Sequence, residues 1–448
     1  MARNRRNFKA MPAEAFRAHI ESLEHDGRGV ARIEGKIVFI EGALPDEEVM
    51  FHYLTQRKSY DEGRVSEIIK PSPFRVEPKC IHFELCGGCS LQHMDPTAQI
   101  QAKQQILIDS FKHIGKVMPE TILPPLTAGH WGYRRKARLG CKYVLKKETQ
   151  MVGFREKRSA LLADLTRCEV LHPAIGERIT DLKVLVRSLE AYDRIAQIEV
   201  AIGDTVVALV FRNLDELVSG DVEKLRQFGM ANNIHIYLQP KGPDSVHLIW
   251  PESSQLSYRL DDFDVELLFR PTDFTQVNID INREMIKRAI EMLDVQPNER
   301  VLDLFCGLGN FTLPLTRKAE YVVGVEGDEQ LVQRGRENAR HNNITNIEFH
   351  GADLTKEPHS HPWFGRGFDK ILIDPPRSGA YEIVQHLDGF GASKIVYVSC
   401  NPATLARDAG VLVEKGYKLK CAGVMDMFPH TTHVESIALF EYCRQGDL

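Results

Sequence analysis

From Phe16 to Ile69 the hydrophobic positions fall in short alternating runs separated by turn residues, around Ile20, at Gly29 to Arg32, Lys36 to Ile40, Glu48 to Tyr53 and Gly63 to Ile69. Evenly spaced short strands with glycine-rich turns predict a small closed β-barrel, because closure removes the edges such strands would otherwise expose. Pro71, Pro73 and Pro78 mark its end. Residues 97–113 predict a helix with Ile100, Ile106, Leu107 and Phe111 as its apolar positions. From about 130 to 270, longer strands mix with helices such as Asp181 to Leu189. The last third changes character: apolar strands VLDLF, YVVGVE, IEFH, KILID and KIVYVS alternate with helical stretches, the pattern of a parallel sheet covered on both faces. Two further runs, Lys418 to Val424 and Ser436 to Tyr442, suit an antiparallel pair on that sheet. There is no internal repeat and no low-complexity tract.

At 448 residues, with 43% hydrophobic and 27% charged positions, the composition is globular and excludes disordered and fibrous classes. The length suits about three domains of ~150 residues. No apolar stretch reaches the ~18–20 residues of a bilayer-spanning helix. The basic start (Arg3, Arg5, Arg6, Lys9) leads into no apolar signal core. The expected setting is cytoplasmic, with no membrane partner.

The net charge of −5 hides an uneven distribution. Residues 131–158 carry ten Lys or Arg against Glu148 and Glu156, and residues 1–20 carry five against Glu14, so the rest of the chain is strongly acidic. Two basic islands on an acidic body suit a polyanion. Trp131, Tyr133, Tyr143 and Phe154 lie within the larger island, and aromatic rings stack on the bases of unpaired RNA while cations hold its phosphates. A solvated basic face is the blander alternative.

Ligands of open α/β sheets bind beyond the carboxyl ends of the strands, so those ends bear inspection. The first strand of the last third runs into Asp303-Leu304-Phe305-Cys306-Gly307-Leu308-Gly309-Asn310, a glycine turn that lets the backbone approach a ligand. The third glycine of a dinucleotide fingerprint is absent, since Thr312 stands there. Glu326 ends the second strand and can accept both hydroxyls of a ribose. Asp353 follows the third and could accept from an adenine amino group, while Asp374-Pro375-Pro376-Arg377 ends the fourth. An adenosine without pyrophosphate fits this set, which points to S-adenosyl-L-methionine over NAD.

The fifth strand runs into Cys400-Asn401-Pro402, placing a thiol at the same edge and just before a helix, whose N-terminus is expected to lower the thiol pKa. A thiol beside a methyl donor suggests one reaction. Carbon 5 of uracil is too weak a nucleophile for a sulfonium methyl, but thiolate addition to carbon 6 makes it enolate-like. After transfer a base must remove the carbon 5 proton. Glu435 is the candidate, with His430 and His433 as competitors.

The runs DLFCGLGNFTLPL, VVGVEG, DPPRSG, VSCNPATLARD and DMFPHTTHVES closely resemble the RNA 5-methyluridine methyltransferases, and the barrel with a cysteine group resembles the branch acting on 23S ribosomal RNA. The resemblance covers nearly the whole chain. It implies a class I S-adenosylmethionine-dependent (Rossmann-like) α/β domain at 271–448, an N-terminal OB-like TRAM barrel at 11–72 that binds RNA, a basic tail at 1–10, and a central α+β domain at 73–270. The 97–113 helix is a candidate to pack on the catalytic domain. The implied roles are Cys400 as nucleophile, Glu435 as general base, and Gln276, Phe305, Asn310, Glu326, Asp353 and Asp374 as cofactor contacts; Gln276 enters only through the match of FTQVN. The implied product is 5-methyluridine in 23S rRNA, made by a monomer.

Nine cysteines and no secretory signal argue against a disulfide framework. Cys80, Cys86 and Cys89 are spaced C-x5-C-x2-C, and four thiolates suit either zinc or an iron-sulfur cluster. The resemblance implies a [4Fe-4S] centre, held in the central domain, with Cys168 as fourth ligand; Glu169 follows that cysteine where relatives often have proline, and Cys141 competes for the place. Three rival functions remain. One is a transfer RNA substrate for the same chemistry. Another is a radical methylthiotransferase, whose C-x3-C-x2-C spacing is absent. The third is a non-catalytic RNA-binding protein, against which the presence of both Cys400 and Glu435 counts.

Overall fold

A computed structural model describes residues 12–356 and 361–443. The expected basic tail at 1–10 lies outside them. The described chain forms two compact units. One runs through Phe83 and includes Cys89–Ala102 and His430–Thr432; the other comprises Glu84–Gly88, Lys103–Pro429 and the chain from His433 onward.

The smaller unit is built on a six-stranded sheet in the order Phe16–His19, Glu48–Gln56, Tyr60–Lys70, Lys36–Glu41, Gly29–Ile33, Ser22–Leu23. It curls on itself: the Glu21 amide donates to Val30 O (2.8 Å) and the Ile20 amide to Glu47 O (2.9 Å). Alternate residues face inward, so Ala18, Ile20, Ala31, Val38, Ile40, Val49 and Phe51 make its core. Gly63 lies under the Phe51 ring, where any Cβ would stand 2.5 Å from a ring carbon.

In the larger unit, a mixed six-stranded sheet runs in the order His247–Trp250, His235–Leu238, Val207–Asn213, Ile195–Ile202, Lys136–Val144, Thr149–Gly153. The helix Ile179–Ser188 packs its Ile179, Leu182, Leu185 and Val186 into that sheet's core, each worth ~1.5–3 kcal/mol of burial. The hairpin Leu256–Leu260/Val265–Phe269 instead shares its core with the helix Ile279–Leu293 and the large C-terminal sheet.

The expectation that this central region holds an iron-sulfur cluster is corrected. Among the described residues no group of three or more His, Cys, Asp or Glu side chains is arranged to hold a metal ion. Cys86 and Cys168 are half-buried beside the core of the central sheet, where Cys86 Sγ also accepts from the Gly88 amide (3.4 Å). Small apolar packing is a common use of cysteine. Cys80, Cys86, Cys89 and Cys168 are thus not arranged as a [4Fe-4S], iron or other metal site among the described residues.

The C-terminal sheet has the order Ile347–Gly351, Tyr321–Glu326, Arg300–Leu304, Lys370–Ile373, Lys394–Ser399, Glu435–Tyr442, Tyr417–Met425, Thr121–Ile122. The first five strands are parallel, and Glu435–Tyr442 runs antiparallel to both its neighbours. Counted from Arg300, the order is 3-2-1-4-5-7-6, the expected doubly wound α/β layer with a reversed edge. The turn Phe111–Gly115, which overlaps the end of the 97–113 segment, packs on the helix Pro402–Glu414; a Cβ on Gly115 would sit 2.2 Å from Ala406 O. No helix of the described residues is long and apolar enough to cross a membrane.

Candidate active site

The reversal of direction at the sheet edge builds the site. Ser399 and Ser436 are cross-strand partners, and Ser436 Oγ donates to Ser399 O (3.2 Å). Cys400 therefore leaves one strand beside Glu435, the first residue of its antiparallel neighbour. Asn401 caps the next helix by accepting from the Ala403 amide (3.1 Å), and its Nδ2 donates to Arg377 O (3.0 Å). This ties the Asp374–Arg377 loop to the turn that carries Cys400.

Four carboxyl groups crowd these strand ends. Burial pushes Asp303 up to about 8 and Asp374 up to about 7, and Glu326 adds repulsion to both. Glu435 is also pushed up, to about 8, by burial first and then by Asp374, with Arg377 and Lys103 opposing. Crowded carboxyls hold protons when no cation balances them. The expected lowering of the Cys400 thiol does not occur: burial and then the negative potential of Glu435 and Asp374 push it up to about 11, and Arg377 pulls the other way.

The turn after Arg300–Leu304 takes left-handed backbone angles at Phe305 (φ 63°), Gly307 (φ 54°) and Gly309 (φ 100°). A Cβ on Gly307 would meet nothing within 4 Å, so this backbone faces open space. Glu326 supports it, with Oε2 accepting from the Gly307 amide (3.0 Å) and Oε1 from the Asp328 amide (2.9 Å). Below, Asp303 Oδ2 accepts from Thr312 Oγ1 (2.6 Å). Asn310 is held by Tyr258, whose hydroxyl donates to its Oδ1 (2.8 Å), and by reciprocal amide bonds with Asn282 (2.9 and 3.1 Å).

Among the residues named from the sequence, the structure sets Cys400, Glu435, Asp374, Glu326, Phe305 and Asn310 at the ends of the C-terminal sheet's strands or in the turns that follow them. Gln276 is half-buried just before the helix Ile279–Leu293. Asp353 is exposed and turned back on its own loop, accepting from Thr355 and pairing with Lys356 (2.8 Å). Of the competing histidines, His433 is exposed and lies 3.4 Å from Arg377, whereas His430 is buried in the smaller unit, its amide donating to Gln99 (2.8 Å). The basic island is partly spent on the fold: Arg135 pairs with Asp204 (2.8 Å) and Lys136 with Glu199 (3.1 Å). Tyr133 is buried, its hydroxyl donating to Pro429 O (3.0 Å), and Phe154 packs on the central core.

The sequence reading missed Tyr258, Asn282 and the buried acid role of Asp303, and it missed Lys103, whose ammonium donates to Asp426 Oδ1 (2.7 Å) and Phe428 O (3.0 Å). A signal for Lys103 existed. It falls on the stripe of Ile100, Leu107 and Phe111, where a charge is out of place unless paired.

The fold and its strand-end site define a class I methyltransferase. The chain matches the profile of the tRNA (Uracil-5-)-methyltransferase family over residues 171–442 and that of the TRAM domain over 9–50. It is 53% identical to the 23S rRNA (uracil(1939)-C(5))-methyltransferase RlmD of Hahella chejuensis, covering 97% of this chain and 99% of that protein. With the RlmD of Nitrosococcus oceani it shares 54% identity, over 98% of each chain. The solved Pyrococcus abyssi tRNA (uracil-54, C5)-methyltransferase, in complex with S-adenosyl-L-homocysteine, superposes with a TM-score of 0.73 at 25% identity, covering 95% of this chain and 100% of that one. The chain belongs to the RNA uracil-C5-methyltransferase family.

Proposed function

We propose that this enzyme transfers a methyl group from S-adenosylmethionine to carbon 5 of a uridine in 23S ribosomal RNA, at the position equivalent to the uracil 1939 of its RlmD relatives, and works as a cytoplasmic monomer. The observation that carries the reading is the cross-strand pairing that sets Cys400 beside Glu435. The near full-length identity to RlmD proteins supports the ribosomal substrate.

The donor's cationic sulfonium suits a site of crowded carboxyls, and when bound it supplies an electrophilic methyl carbon. Glu326 would take the ribose hydroxyls, with the 305–310 turn and Asn310 beside it, and Gln276 and Asp374 would complete the contacts. Asp353 joins them only if its loop opens from Lys356. Cys400, ionised with help from Arg377, adds to carbon 6 of uracil and drives electron density to carbon 5. After carbon 5 is methylated, the Glu435 carboxylate takes its proton, the carbon 6–sulfur bond breaks, and the electron pair returns to Cys400 as thiolate. Glu435 must be ionised for this step, so release should quicken as pH rises through about 8.

The test is methylation of 23S rRNA fragments and of tRNA by wild-type, C400A and E435Q enzymes. C400A should lose all turnover and all covalent capture of 5-fluorouridine RNA, and E435Q should accumulate the methylated adduct. Turnover by C400A refutes the nucleophile, free product release by E435Q refutes the base, and a preference for tRNA refutes the substrate.

A further inference from the structure

Lys103 stands on the helix Pro96–Ser110, far from the catalytic sheet in sequence, yet its side chain is only 2% exposed and that of its partner Asp426 1%. Burying an ion pair is costly, and pairs of this kind are weak contributors to stability next to an apolar replacement. Position gives this one a different use. Asp426 directly follows the strand Tyr417–Met425, and Met425 is the cross-strand partner of Glu435. The second bond of the ammonium, to Phe428 O, fixes the start of the segment that returns the chain to Glu435.

We propose that Lys103 is a positioning residue for Glu435: it pins the chain at Asp426–Phe428 and turns the positive end of a buried ion pair toward the Glu435 carboxyl, favouring the ionised base. The proposal rests on the reading of Glu435 as base. The charged and titratable groups acting at this carboxyl come from three sides. Asp374 and Arg377 lie on the loop after Lys370–Ile373, Cys400 follows Lys394–Ser399, and the Lys103–Asp426 pair lies beyond Tyr417–Met425. Asp374 and Cys400 carry or acquire negative charge, so the cations Arg377 and Lys103 must offset them. Of the two cations Arg377 opposes the upward push more, from an exposed position that water screens; Lys103 adds to it from an enclosed one, where Asp426 and Glu435 hold its charge against burial.

The experiment follows the methylated RNA adduct of the full-length enzyme by denaturing gel, using labelled methyl donor, and reads the rate of adduct release against pH. In the K103M/D426L double variant neither charge is left unpaired, and in K103Q an uncharged side chain remains within reach of Phe428 O. Both should still form the adduct but release it about tenfold more slowly below the midpoint, with the midpoint moved up by about one pH unit. K103R, which keeps the charge, should keep the wild-type midpoint even if its rate falls. A wild-type midpoint in either charge-removing variant, or a shifted one in K103R, overturns the proposal. E435Q is run beside them. If E435Q traps the adduct while the lysine variants behave as wild type, the positioning role alone fails; if E435Q releases product freely, the base assignment has failed and the proposal falls with it.

Discussion

A cationic ligand entering a nest of half-protonated carboxyls should expel protons, and this can be measured. Asp374 stands at about 7 and Glu435 at about 8 in the free protein. A unit positive charge about 6 Å from a carboxylate at an effective dielectric constant of ~20–40 favours the ionised form by ~1.4–2.8 kcal/mol, or one to two pKa units, and a sulfonium bound near these carboxyls would act in this sense. For a shift of one unit each near pH 7.5, Asp374 gives up ~0.2 proton and Glu435 ~0.5, so ~0.7 proton leaves per molecule bound. The sign is fixed by the direction of the shifts: binding favours the deprotonated carboxyls, so affinity rises as pH climbs through about 7 to 8. Titration calorimetry in buffers of different ionisation enthalpy counts the protons directly. S-adenosylhomocysteine, with the same shape but no sulfonium charge, is the control and should release far fewer. Equal counts for the two ligands, or proton uptake with the cation, would show that the carboxyl crowding does not serve to receive it.

Two more outcomes follow from the same geometry. Alkylation of Cys400 by iodoacetamide, read by peptide mass mapping, should be slow at neutral pH and climb toward about pH 11, with E435Q shifting the climb downward and R377M upward; a plateau near neutrality would contradict the crowded-thiol account. The D353A substitution should change the affinity for S-adenosylhomocysteine by less than about threefold, because that carboxylate is already engaged by Lys356 and Thr355, whereas E326A should cost about tenfold or more through the lost turn support. Equal losses in the two variants would place Asp353 in the site after all.

The parallel strands and their ends were legible in the sequence because buried parallel strands are continuous apolar runs whose last residue is forced to the ligand-binding edge. Glu326, Asp374 and Cys400 could be picked out on that ground alone. What depended on tertiary crowding was not legible. The helix opened by Pro402 suggested an acidic thiol, but burial, and then two carboxyls from other strands, outweigh it. Asp353 has the place in the chain that the sequence suggested, and in the structure it pairs with Lys356, one helical turn away in sequence. The C-x5-C-x2-C spacing suggested a metal, yet spacing does not say where each sulfur points, and Cys86 and Cys168 pack against an apolar core. Aromatic residues of the basic island also serve the fold: Tyr133 and Phe154 face the interior, and Tyr143 packs edge-on against Tyr192.

Because Cys400 and Glu435 issue from paired residues of two neighbouring strands, the gap between the proposed nucleophile and the proposed base is set by the spacing of a β-ladder, a quantity no loop can stretch. Side chains alternate across a strand, so losing or gaining one residue within Glu435–Tyr442 would send the carboxyl to the opposite face while the backbone stayed paired. Under the proposed roles, this design tolerates longer loops elsewhere but not a pleat more or less between the pairing and the carboxyl.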